Sequence, residues 1–133
     1  MKKYLCLIIL LIFASCTSLN AYNKNISQIE INKINSEITD VITNLKEAAN
    51  SNRYDKIKEI FLPTFKNNII VKKLQEYDLS SLTFIFSEPK VKSNNKAISV
   101  MAINYNTASN YFNITWKKMD DGSWKISNVA EKK

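Results

Sequence analysis

The chain has 133 residues, with 19 Lys plus Arg against 12 Asp plus Glu for a formal charge of +7, and it has one glycine, two cysteines and no histidine. The missing histidine excludes Ser-His and Cys-His nucleophilic sites, histidine acid–base work and most zinc sites, and one glycine cannot build a glycine-rich phosphate loop. The basic residues are scattered Lys pairs with a single arginine, Arg53; a nucleic-acid binder gathers such charges on one face, so a solvated surface is expected and no nucleic-acid partner.

At the N-terminus, Lys2 and Lys3 precede an apolar run from Tyr4 to Phe13, and small Ala14 and Ser15 then lead to Cys16. Spanning a bilayer takes about 20 apolar residues, so this run is too short and fits a secretory signal. Phe13-Ala14-Ser15-Cys16 resembles the lipobox of bacterial lipoproteins, whose usual pattern is Leu, two small residues and Cys; Phe13 departs from it while staying apolar. The resemblance implies a signal peptide over 1–15, a lipid on the Cys16 sulfur and a tether over 16–25. More than one acyl chain gives stable anchoring, so the membrane is the first expected partner. The expected location is the bacterial cell envelope, facing away from the cytoplasm. The alternative is ordinary cleavage after Ala21, with bulky Leu19 at the third position before the cut, which leaves a secreted or periplasmic protein. Cys6 leaves with the signal, so the folded part has no disulfide and depends on its core alone.

A single α+β domain is predicted over 26–133. Ile31, Ile34, Ile38, Val41, Ile42, Leu45 and Ala48 recur at three- and four-residue steps, one stripe of an amphipathic helix of about six turns. Asn50-Ser51-Asn52 ends it, because short polar side chains compete for backbone groups. Tyr54, Ile57, Ile60 and Phe61 mark a second helix that stops before Pro63, with Phe65 packed nearby. A third is predicted over Asn68–Tyr77, carrying Ile70, Leu74 and Tyr77, with Lys72 and Lys73 outward. The period then changes to two. Leu82, Phe84 and Phe86 share a face of a first strand that Pro89 interrupts or edges. Ser93-Asn94-Asn95 is a turn, and Ala97–Tyr105 a second strand. Asn106–Asn110 turns the chain into a third strand, Tyr111–Lys118, with Phe112, Ile114 and Trp116 on one face. Asp120-Asp121-Gly122-Ser123 is a hairpin turn before a last strand, Trp124–Val129. Three helices laid on one face of a curved four-stranded antiparallel meander are therefore expected.

The closing stretch, Asp121-Gly122 followed by Trp124-Lys125-Ile126, resembles the last hairpin of nuclear transport factor two-like domains, a group that includes ketosteroid-isomerase-like enzymes. The layout over residues 27 to 130 is similar too, and a cystatin-like helix-on-sheet domain shares it. The resemblance implies a cone-shaped fold whose bent sheet forms a cavity. Met101, Tyr105, Trp116, Trp124 and Ile126 are the candidate cavity residues, with plain core packing as their simpler role. Catalysis of the ketosteroid-isomerase kind needs an Asp base and an oxyanion hole of Tyr and protonated Asp. The strands supply Tyr105 and Tyr111 but no carboxylate in apolar surroundings, and Asp78 and Glu88 read as exposed. No catalytic residue, cofactor or metal is expected. The expectation is a non-catalytic binding or accessory protein for a small apolar ligand or an envelope protein. A small isomerase or hydrolase with an atypical site is the alternative. A homodimer through the sheet is compatible with the resemblance, although no residue pattern requires it.

Overall fold

The computed structural model describes residues 26–133. Cys16 and the expected signal peptide and tether lie outside the described residues. The first helix, α1 (Gln28–Asn50), begins at Ser27, whose Oγ accepts from the Glu30 N–H at 3.2 Å. That cap satisfies one of the amides left without a partner in a first turn. The isoleucine stripe is the buried face, with Ile34, Ile38, Ile42, Leu45, Ala48 and Ala49 in the core. Burying one such Ile or Leu contributes about 1.5–3 kcal/mol relative to leaving it exposed.

What ends α1 is more specific than polar competition. Asn52 adopts φ 52°, its N–H donates to the Ala49 carbonyl at 3.1 Å, and the Arg53 N–H donates to that of Ala48 at 2.8 Å. This paired closure needs a left-handed residue, a role in which Asn is the usual substitute for Gly. The Asn52 side chain then reaches across 26 residues. Its amide donates to Asp78 Oδ1 at 2.7 Å and its carbonyl accepts from the Leu79 N–H at 2.7 Å. One residue thus closes a helix and ties the elbow to a single 3₁₀ turn, Leu79–Ser81.

The second helix, α2 (Tyr54–Ile60), buries Ile57 and ends at Phe61, which bridges in parallel to Ile126. The third, α3 (Phe65–Leu74), differs from the expected Asn68–Tyr77. Thr64 caps it by accepting from the Asn67 N–H at 3.1 Å, so it starts as soon as Pro63 permits. Its last residues form tighter turns, with the Glu76 and Tyr77 N–H groups bonded to the Lys73 and Leu74 carbonyls. Phe65 does not pack: it is 83% exposed, and the inward face is Asn67, Ile70, Val71 and Leu74.

Five strands follow, not four: β1 (Thr83–Phe86), β2 (Lys90–Ser93), β3 (Lys96–Tyr105), β4 (Ala108–Lys118) and β5 (Trp124–Glu131). β1 and β2 pair with successive parts of β3 in one antiparallel sheet ordered β1-β3-β4-β5. They are two pieces of one edge interrupted around Pro89, which lacks the N–H a continuous ladder would use. Ser87 spans the gap: its N–H donates to the Val100 carbonyl and its Oγ accepts from the Val100 N–H, both at 2.8 Å. The β3–β4 turn needs only Asn106 and Thr107, with Asn106 at φ 53°, so β4 starts three residues before the predicted Tyr111. The Asp121 carboxylate accepts from the Ser123 N–H and hydroxyl at the β4–β5 turn, and Gly122 takes φ 88° there.

Candidate functional site

The inward faces of β3, β4 and β5 lie beneath the helices, and between them is an apolar cavity of about 210 Å³. Leu45 and Ala49 of α1, Ile57 and Phe61 of α2, and Ile70 and Leu74 of α3 supply the helical wall. Met101 and Ile103 of β3, Phe112 and Ile114 of β4, and Ile126 and Val129 of β5 supply the sheet wall. The lining has one charged side chain, Glu131, which is solvent-exposed at the end of β5.

An irregularity decides which β5 residues face this space. Trp116 pairs with Ile126 while adjacent Thr115 pairs with Asn128, so Ser127 is an extra residue opposite the β4 step. A bulge of this kind shifts the side-chain phase and increases the local twist. Trp124 and Ile126 face inward before it; Val129 and Glu131 face inward after it. Without the extra residue, strict alternation would turn Asn128 and Ala130 inward instead.

Asn67, only 1% exposed, holds the bulge in place. Its amide nitrogen donates to the Leu62, Ile126 and Ser127 carbonyls at 2.9, 3.1 and 3.4 Å. The same side chain therefore fixes α3, the α2–α3 connection and the bulged strand in one arrangement. Ser127 adds a bond from its hydroxyl to the Thr115 carbonyl at 3.2 Å.

The cavity borders a groove of about 640 Å³ that shares Leu74, Ile103 and Phe112 with it. Tyr77, Asp78 and Tyr105 also line this groove. Asp78 is engaged: Ser80 and Asn52 donate to its carboxylate and hold its pKa below the ordinary aspartate value. Glu76 is paired with Lys73 at 3.1 Å, and that bond holds the lysine above its ordinary value. A wider cleft of about 760 Å³ lies between α1, α2 and the β4–β5 turn; it is open and mixes Arg53, Lys56 and Lys125 with Glu47, Glu59 and Asp121.

The five residues singled out in the sequence go to different places. Met101 and Ile126 meet on the cavity wall. Tyr105 is 54% exposed in the adjoining groove. Trp124 borders the wide cleft. Trp116 has no exposure and does not line the cavity; its indole N–H donates to Ser99 Oγ at 2.8 Å, and its ring lies 6.4 Å from that of Phe86. Sequence reasoning missed the helical wall, Ile103, Phe112, Ile114 and Val129 on the sheet wall, and Glu131. A signal for the latter was present in WKISNVAE: Ile126 and Val129 are three apart, which breaks a period of two.

No protein-family profile and no curated protein matches the sequence. The fold is similar to the crystal structure of an NTF-2-like protein of unknown function from Shewanella oneidensis MR-1, with a TM-score of 0.58 and 19% identity over 72% of this chain and 96% of that one. The architecture is therefore an α+β, NTF-2-like fold, and at that identity the likeness concerns the fold alone.

Proposed function

We propose that this chain is an exported, lipid-anchored cell-envelope protein that binds a small apolar ligand without transforming it. The observation that carries the binding reading is the 210 Å³ cavity, walled by aliphatic and aromatic side chains. A cavity of 150 Å³ with such walls stays dry and takes up benzene, so this one has room for roughly eight carbon atoms. The non-catalytic reading is supported by the same wall. General acid–base catalysis needs a titratable group within hydrogen-bond reach of the reacting atom, whereas Glu131 stands at the rim in solvent. Export and anchoring rest on the resemblance of Phe13-Ala14-Ser15-Cys16 to a lipobox.

Two measurements test the two halves. Intact mass of the protein from its native membrane fraction should give a chain starting at Cys16 and carrying two or three acyl chains; an unlipidated chain starting near Tyr22 would overturn the anchor. Mass spectrometry under non-denaturing conditions should show extra mass that disappears on denaturation, and titration with octanol should saturate. A chain that carries nothing and does not bind octanol would overturn the binding reading.

A further inference from the structure

Glu131 has no ion-pair partner among the described residues. Of the neighbouring carboxylates, Glu76 is ion-paired with Lys73, and Asp78 accepts hydrogen bonds from the neutral side chains of Ser80 and Asn52. In a chain with 19 lysines and arginines, neither the cavity nor its groove is lined by one. The bulge at Ser127, pinned by Asn67, is what puts this carboxylate on the inward face, directly across from Phe112 on β4. Bulges are frequent where a fold re-aims a side chain beside a site. We infer that the apolar cavity selects cationic amphiphiles: a ligand with a short aliphatic body of about eight carbons and an ammonium head that Glu131 meets at the mouth.

The chemistry of the rim agrees with such a head. A carboxylate-headed ligand of the same length would bring two negative charges together, where no lining cation offsets them. Glu131 is solvent-exposed, so its selectivity is modest and sensitive to salt.

This inference rests on the reading of the cavity as a ligand site, and one titration separates the two. The full chain is titrated calorimetrically at low salt with octylammonium, octanol and octanoate. Octylammonium should bind about tenfold more tightly than octanoate, with octanol between them. Glu131→Gln should bring octylammonium to the level of octanol and leave octanol unchanged, and Glu131→Lys should reverse the order. Equal affinities for all three probes, or a preference that survives Glu131→Gln, would overturn the selectivity while leaving the cavity reading intact. Failure of all three to bind would overturn both.

Discussion

The inward face of the sheet is filled at one end and hollow at the other. At the filled end, Trp116 pairs in register with Ala97, and neighbouring Ser99 receives its indole N–H. A large ring set against two small residues leaves no space, the complementarity that close packing requires. At the hollow end, Met101, Phe112, Ile114 and Val129 face the helices across the cavity. The same strands therefore build a core with one half and a container with the other. Side-chain volume makes the difference, since both halves are apolar.

The comparison can be broken most severely at the filled end. Trp116→Ala should cost about 3–5 kcal/mol, read as a lower midpoint in urea, because nothing nearby can collapse into the space. Asn67→Ala comes next, at about 1–3 kcal/mol for stranded carbonyls. It should also loosen the bulge, so octanol affinity should fall along with stability. Ala49→Leu sharpens the contrast in the opposite direction. Filling the hollow end should raise stability by about 0.5–2 kcal/mol and abolish octanol binding; a destabilised variant would show that the wall is already tight. The smallest effect is at the elbow. The Asp78 carboxylate is held below its ordinary pKa by Ser80 and Asn52, so the unfolded chain takes up this proton more readily than the folded one. Its contribution is complete above the ordinary aspartate value and is lost as the pH falls through the lower, folded value. Asp78→Asn should therefore flatten the acid side of a melting-temperature profile while leaving the ordering of ligands unchanged.

Much of the fold was legible because it depends on local rules. The isoleucine spacing of α1 and the alternation of β3 and β4 are periods of 3.6 and 2, and each reports which face is buried. The Asp-Asp-Gly-Ser turn was equally readable, since Gly122 adopts a left-handed φ there. The errors came where a side chain changed the backbone's options. Thr64 moved the start of α3, and Ser87 let an edge continue past Pro89 as a separate strand. The candidate site was less legible. Met101 and Ile126 were found because they are inward on their strands, but alternation cannot distinguish a residue that fills space from one that borders it, and so Trp116 was grouped with them.

By itself, then, the sequence determined the three helices and four of the five strands, their order and the buried face of α1, because periodicity and turn chemistry act over a few residues. It also excluded histidine and phosphate-loop chemistry by composition alone, and disulfides within residues 26–133 by the positions of Cys6 and Cys16. Only the tertiary structure decided that the face would be hollow at one end, since a cavity is a difference between volumes brought together from eight elements. Only it decided, too, that Glu131 would stand at the mouth. That position depends on one extra residue in β5, held by an amide 60 positions earlier in the chain.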